Sequence, residues 1–457
     1  MLQINSEIFK AYDIRGIYGK DFDNELAYLL GLAFIELRNS DPDFQVGKKM
    51  KIAVGMDMRL SSLALKENLL RGLVSAGADA LDLGLVSTPT FYFAVANYNY
   101  DGGIMISASH NPKEWNGFKM VRSNGVPVSG ETGINFLRNK IIENHFQASL
   151  TPGNIIENKE ALKAEILMIK NQTDFSKIKM LKIAIDTANG MGAEYIEKIF
   201  ALFPHDLLRL NFKLDGNFPA HEADPLKEEN LVELKKEVLS KGADLGIATD
   251  GDGDRIFFVD NLGNTISPAL IRGLLAEIFL RDKPGARIGY DVRPGRITKD
   301  LIVENGGIPI LTRVGHSLIK EQMIKEDIYF AGESSGHFYL NAPTGCFEYP
   351  GIMILKILTL FSESNQSVSD FIKPYDKYFA SGEINRTVVD PEEVFAKIIQ
   401  KYSDGIITKL DGVSVDYPDF WFNVRASNTE SKMRLNLEAT SENLMAEKRN
   451  EILALMT

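Results

Sequence analysis

Three stretches of this chain carry the same strand pattern, and that self-similarity limits the possible folds more than any other feature. Lys51-Ile-Ala-Val-Gly-Met-Asp57, Lys182-Ile-Ala-Ile-Asp186 and Arg287-Ile-Gly-Tyr-Asp291 each read as a short apolar strand that ends in Asp and runs into a turn and a helical stretch. Such runs fit parallel strands covered on both faces. A second strand follows in each copy (80–86, 207–214, 308–314), then a third (103–106, 244–248, 327–330). The third strands lead into the three least ordinary loops of the chain, Ser107-Ala-Ser-His-Asn-Pro112, Asp250-Gly-Asp-Gly-Asp-Arg255 and Gly332-Glu-Ser-Ser-Gly-His337. After each loop, turn signals at Ser123-Asn-Gly125, Asn261-Leu-Gly-Asn264 and Asn341-Ala-Pro-Thr-Gly345 predict a hairpin.

The repeat predicts an α/β protein of three related mixed α/β domains plus a smaller α+β C-terminal domain around one central cleft, with ligand loops at the carboxyl ends of parallel strands. The expected domains are 1–152, 153–258, 259–371 and 372–457, each carrying one functional loop. Near Phe371 the pattern changes, Lys373-Pro-Tyr-Asp376 reads as a linker, and Asp419-Phe-Trp-Phe-Asn-Val424 reads as a strand of the last domain. A length of 457 residues suits three or four domains.

The net charge of −11 disfavours non-specific nucleic-acid binding, so an anionic ligand has to be met by a local cluster of Arg and Lys. The single cysteine, Cys346, excludes an intramolecular disulfide and a cysteine-based zinc site and suits a reducing cytosol; it reads as a packing residue, and Trp115 and Trp421 as loop braces. Met1–Gly16 has no apolar signal-peptide core, and the most apolar later run, 351–361, is interrupted by Lys356. No signal peptide or membrane span is expected.

The acidic loop carries the strongest chemical signal. Asp250, Asp252 and Asp254 alternate with glycines, so a tight turn can present three hard oxygen ligands to a divalent cation such as Mg²⁺. An EF-hand is excluded, because its sixth and twelfth positions would be Arg255 and Asn261 rather than Gly and Glu. Arg255 is suited to holding a phosphate beside the metal. Ser109 offers a hydroxyl, but the loop lacks a Gly-x-Ser-x-Gly elbow, and His110 is too close in sequence to be a conventionally oriented base, which disfavours an acyl-transfer triad. A serine near a bound divalent cation can instead carry a phosphoryl group. Glu333, Ser335 and His337 suit sugar hydroxyls, and Arg425-Ala-Ser427-Asn428-Thr429-Glu430 is equipped for a phosphate. Arg15, Lys119, Arg293 and His316 are further candidates on the same expected rim.

With these residues assembled, the chain resembles the α-D-phosphohexomutase superfamily, in its bacterial phosphomannomutase/phosphoglucomutase branch. Five motifs occur in family order: Phe9-Lys-Ala-Tyr-Asp-Ile-Arg-Gly16, Ser107–Pro112 with Asn116-Gly-Phe-Lys119, Asp250–Arg255, Gly332–His337 and Arg425–Glu430. The resemblance implies an enzyme that interconverts hexose 1-phosphate and hexose 6-phosphate through a phosphoserine and a hexose 1,6-bisphosphate, which serves as both activator and intermediate. Ser109 would carry the phosphoryl group, with Mg²⁺ held by phosphorylated Ser109, Asp250, Asp252 and Asp254. Lys119, Arg15 and His316 would assist proton transfer or charge stabilisation. Tyr12, Arg255, Arg293 and His337 would line the cleft, Glu333 and Ser335 would read sugar hydroxyls, and Arg425, Ser427, Asn428 and Thr429 would grip the non-reacting phosphate.

The implied partners are mannose and glucose 1- and 6-phosphates, with no nucleic acid and no membrane, and the enzyme would be a cytoplasmic monomer or homodimer. Ser431, Ser334 and the Arg293-Pro-Gly loop depart from the family pattern and bear on sugar preference. Phosphoglucosamine mutase and a metal-dependent sugar phosphatase, whose Asp-x-Asp opening would supply an Asp nucleophile, stand as alternatives, and a non-catalytic sugar-binding protein as a third class.

Overall fold

The computed structural model describes residues 4–42, 44, 47–147, 149–293, 295–426 and 432–456. The chain gathers into two compact units. One comprises Met1–Ile266, His316–Lys325 and His337–Val368, and the other Ser267–Gly315, Glu326–Gly336 and Ser369–Thr457.

In the first unit, β1 (Ile14–Ile17), β2 (Lys51–Met56), β3 (Asp79–Leu85), β4 (Gly102–Ile106), β5 (Trp115–Arg122) and β6 (Ile155–Glu157) form one sheet in the order β1-β5-β4-β2-β3-β6. Strand β2 pairs parallel with both β3 and β4, whereas β5 runs antiparallel to β4. The helices Asn24–Ser40 and Ser62–Ser75 bury Leu30, Phe34, Leu65 and Leu69 in the same core as Ile52 and Val54, which explains the unbroken apolar run of β2. A second sheet contains β7 (Lys182–Asp186), β8 (Asp206–Leu210), β9 (Leu245–Thr249), β10 (Ile256–Asp260) and β11 (Thr265–Ile266) in the order β11-β10-β9-β7-β8. Again the first strand lies parallel to the next two, and β10 returns antiparallel to β9.

In the second unit, β12 (Arg287–Asp291) lies parallel to β13 (Ile308–Thr312) and β14 (Ile328–Gly332), repeating the arrangement a third time. The chain then contributes β15 (Phe338–Ala342) and β16 (Gly345–Glu348), an antiparallel hairpin, to the first unit. Back in the second unit, β17 (Phe379–Ala380), β18 (Ile384–Thr387), β19 (Ile406–Thr408), β20 (Val413–Asp416), β21 (Phe420–Ala426) and β22 (Lys432–Ala439) build an antiparallel sheet with its own core of Val394, Ile398, Phe422, Leu435 and Ile452.

The expected turns at 261–264 and 341–345 close the hairpins β10/β11 and β15/β16. At 123–125 the structure differs: a short 3₁₀ turn with left-handed Asn124 leads only to an isolated bridge between Val121 and Pro127. Arg122 N donates to Val126 O at 2.7 Å and Val128 N to Met120 O at 3.0 Å around that bridge, and the returning chain ends there because Ser129 caps the next helical turn, Gly130–Ile134. Cys346 is buried, with Sγ 3.9 Å from Met323 Sδ. Among the described residues, no helix is long and apolar enough to cross a membrane.

The aspartates that close the three repeated strands share a local task. Asp57 accepts from Arg59 N at 3.0 Å, Asp186 from Ala188 N at 2.8 Å and Asp291 from Ser334 N at 3.1 Å. Each carboxylate thereby fixes a loop at the carboxyl end of its sheet, where the candidate residues collect.

Candidate active site

Strands β4 and β5 are joined by the loop that carries Ser109. Its hydroxyl donates to Asp250 Oδ2 at 2.7 Å and lies 3.2 Å from His110 Nδ1. Ser109 adopts a left-handed backbone, with φ of 50°. Ser107 Oγ accepts from Ser109 N at 2.9 Å, and Asn111 N donates to Ala108 O, so the loop is braced internally.

The acidic turn between β9 and β10 closes on itself. Asp250 Oδ1 accepts three backbone N–H groups, from Gly253, Asp254 and Arg255, at 3.1–3.2 Å. A side chain at Gly251 would press its Cβ to 2.5 Å from Ser109 O, and Gly253 turns at φ of 76°, so the glycines allow both the approach to the serine loop and the turn. One carboxylate oxygen from each of Asp250, Asp252 and Asp254 falls within 4.8 Å of the others, and all three residues are buried. Lys119, on β5, donates to Asp252 Oδ2 at 2.6 Å and to Asp254 Oδ2 at 2.5 Å, and Thr88 Oγ1 donates to Asp252 Oδ2 at 2.5 Å.

Electrostatics separate the three acids. Burial, reinforced by the charges of Asp254 and Asp252, pushes the Asp250 carboxyl up to about 8. Burial also opposes the charge on Asp254, but Lys119 and His337 outweigh it and hold that carboxyl well below the usual range. Asp252 Oδ1 is buried without a hydrogen-bond partner, the kind of orphaned anionic oxygen a cation would satisfy. The cluster is capable of holding a metal ion.

The other candidates of this unit gather here too. Arg15 donates to Asn111 Oδ1 at 2.6 Å and pairs with Asp13. His337 Nε2 lies 3.1 Å from Asp254 Oδ1, and Arg255 Nε lies 3.4 Å from the same ring nitrogen. The rings of His316 and His337 are 6.4 Å apart, and Tyr12 meets His316 edge-on at 6.2 Å. Burial, with the charges of Lys320 and Lys119, holds His316 well below the usual imidazole range, and its Nε2 is buried without a hydrogen-bond partner.

In the second unit, Asp291 anchors a separate network. It accepts from Arg272 Nη1 at 2.9 Å, Arg293 Nε at 2.6 Å and Ser334 Oγ at 2.9 Å. Arg293 Nη2 reaches Glu333 Oε1 at 3.1 Å and Ser335 Oγ at 3.5 Å, and Gly315 N donates to Glu333 Oε1 at 3.0 Å. Arg425, at the end of β21, donates to Glu383 Oε2 at 2.9 Å. Ser427, Asn428 and Thr429 lie outside the described residues, as do Glu430 and Ser431.

Sequence reasoning missed Thr88, Glu383 and the Asp57–Arg59 pair. Asp57 stands out as a strand-ending aspartate, but nothing in Asp57-Met-Arg59 announces what its arginine reaches.

These features define an enzyme with a serine facing a buried acidic cluster on repeated α/β domains. Four family models match in order: phosphoglucomutase/phosphomannomutase alpha/beta/alpha domains I (6–148), II (163–263) and III (266–378), and the C-terminal domain (383–455). The chain is 37% identical to a phosphomannomutase of Escherichia coli over 98% of both chains, and 38% identical to one of Methanocaldococcus jannaschii over 97% of this chain and 96% of that one. A crystal structure of a phosphoglucomutase/phosphomannomutase family protein from Burkholderia thailandensis matches with a TM-score of 0.89 at 31% identity, covering 99% of this chain and 97% of that one. The chain belongs to the phosphoglucomutase/phosphomannomutase family, and within it is a phosphohexomutase, an isomerase acting by intramolecular phosphoryl transfer.

Proposed function

We propose that the enzyme interconverts mannose or glucose 1-phosphate with the corresponding 6-phosphate, using Ser109 as the phosphoryl carrier. The observation that carries this reading is the 2.7 Å contact between Ser109 Oγ and Asp250. Asp250, Asp252 and Asp254 would hold Mg²⁺, which supplies charge neutralisation to the transferring phosphoryl group.

In the forward half-reaction the P–O bond to Ser109 breaks as a bond to the free sugar hydroxyl forms, and the hydroxyl proton passes to a neutral base, while Lys119 and Arg15, held protonated by their carboxylate partners, stabilise charge. His316, with its open buried Nε2, is the group best suited to accept it. The hexose 1,6-bisphosphate then turns, and its other phosphate returns to Ser109 Oγ. Arg255, His337 and Tyr12 line the reacting end. Glu333, Ser335 and Arg293 are assigned to the sugar hydroxyls, and Arg425 with Ser427, Asn428 and Thr429 to the phosphate that does not react. On the division at 152, 258 and 371, the serine loop, the acidic turn, the sugar loop and the phosphate loop each fall in a domain of their own, and the groups at the reacting end come from three of the four.

An aspartyl-phosphate phosphatase is disfavoured, since Asp250 already binds three backbone N–H groups through Oδ1 and Ser109 through Oδ2. The test is a coupled assay of mannose 1-phosphate, glucose 1-phosphate and glucosamine phosphate with Mg²⁺ and a trace of hexose 1,6-bisphosphate, alongside peptide mass analysis of the labelled enzyme. Phosphate on Ser109 and turnover of mannose or glucose phosphate are expected. Phosphate found only on an aspartate, with release of inorganic phosphate, would replace the mutase reading by the phosphatase one.

A further inference from the structure

Arg59 is almost completely buried at the carboxyl end of β2, among residues to which the transfer chemistry assigns no role. Its two terminal nitrogens reach four backbone carbonyls of the serine loop and its exit. Nη2 donates to Ser109 O at 2.8 Å and Asn111 O at 2.6 Å, and Nη1 donates to Pro112 O at 2.8 Å and Trp115 O at 3.0 Å. Three of these carbonyls belong to the loop and the fourth, of Trp115, opens β5, so one guanidinium ties the loop's backbone oxygens to the start of the next strand.

Arg59 is itself held on two further sides. Its Nε lies 3.2 Å from Asp57 Oδ2, both side chains being fully buried, and its guanidinium sits 5.0 Å above the ring of Phe218. Asp57 is fixed in turn by Ser62 Oγ at 2.6 Å and by Arg59 N at 3.0 Å. The bracket therefore starts in the sheet core and ends on the carbonyl of the nucleophile.

We propose that Arg59 is a positioning residue for Ser109: it holds the left-handed serine loop from behind so that the hydroxyl stays directed at the acidic turn. The inference rests on the reading of Ser109 as phosphoryl carrier. Four terminal N–H bonds in one plane match four carbonyls, a geometry that only a guanidinium provides, whereas an ammonium has three donors in a tetrahedron. Fork geometry and charge therefore make different predictions.

The experiment compares Arg59→Lys, which keeps the charge, with Arg59→Met, which removes it, and with Asp57→Asn, which leaves the arginine but weakens its anchor. Three quantities are read in each: kcat and KM for hexose phosphate in the presence of Mg²⁺ and hexose 1,6-bisphosphate, and amide hydrogen exchange across 107–116. For a positioning role, Arg59→Lys and Arg59→Met both lose about a hundredfold in kcat, the scale of a 1 Å misplacement, while KM changes by less than about threefold. Exchange rises in 107–116 and not in β2 or β4, and Asp57→Asn shows the same pattern more weakly. Near-normal kcat in Arg59→Lys would overturn the proposal in favour of a charge effect, and unchanged exchange at 107–116 in the Arg59 variants or in Asp57→Asn would overturn it outright. Exchange that rises equally throughout the unit would reduce Arg59 to a general stabiliser and also reject it. If the unsubstituted enzyme fails to interconvert hexose phosphates, the functional reading falls, and the exchange measurement still decides whether Arg59 holds the loop.

Discussion

Ser109 and Asp250 stand 141 residues apart in sequence, yet the serine hydroxyl donates to the aspartate at 2.7 Å. The contact joins the loop after β4 to the loop after β9, which are equivalent places in two copies of the repeat. A serine hydroxyl and a cluster of acids meet because each of these sheets sends its third strand into a candidate loop.

Ser109→Ala should retain hexose phosphate binding while losing interconversion by more than about three orders of magnitude, the scale expected when a covalent nucleophile is removed. Calorimetric titration with glucose 6-phosphate and the coupled assay separate the two. Unchanged turnover would dispose of the covalent scheme.

Lys119 neutralises Asp252 and Asp254 at 2.6 and 2.5 Å. Removing one partner of a buried ion pair typically costs about 3–5 kcal/mol. Lys119→Met is therefore expected to lower the thermal midpoint strongly in EDTA and less in excess Mg²⁺, because a bound cation takes over the same carboxylates. An equal drop in both conditions would mean that lysine and cation do not share them.

Glu165 gives a pH signature away from the reacting groups. Burial raises its carboxyl to about 7, although Thr90 donates to it at 2.5 Å. The folded state therefore holds this proton more tightly than the unfolded chain, where the carboxyl titrates near about 4.3. The stabilisation is fully present below that value and is lost as pH rises through 7, amounting to on the order of 3 kcal/mol. Glu165→Gln should flatten this slope in urea unfolding measured from pH 4 to 8 and be the more stable protein at pH 8. A slope that survives the substitution would assign the titration to another group.

Arg425 is paired with Glu383 at 2.9 Å and opens the motif proposed to grip the non-reacting phosphate. Arg425→Lys keeps the charge but loses the planar fork suited to phosphate. Steady-state kinetics should report a KM for hexose phosphate raised by about tenfold or more, with a smaller change in kcat. A change in kcat alone would move Arg425 from binding to the chemical step.

The repeat was legible because its apolar strands end in Asp and its glycine- and serine-rich loops break every local periodicity. Asp250, Asp252 and Asp254 declared themselves by spacing alone, and the structure brings their oxygens together with Ser109 and Lys119. Arg59 was illegible for the opposite reason. Its partners are carbonyls at 109, 111, 112 and 115, and a backbone oxygen has no sequence signature. Thr88 was hidden likewise, since a threonine opening a helix looks the same whether or not an aspartate from 164 residues away sits over it. The first expected hairpin shrinks to a single bridge at Pro127, because Ser129, two residues on, already caps a helical turn and takes the chain away from β5.

The two compact bodies of the chain divide these residues unevenly. Ser109, Lys119, the acidic turn, His316 and His337 belong to one, while Arg293, Glu333, Ser335 and Arg425 belong to the other. On the proposed roles, reactivity and molecular taste therefore fall in different parts of the polypeptide. Grafting the second body from a relative with another sugar appetite is then expected to shift the choice of sugar while phosphate labelling of Ser109 persists.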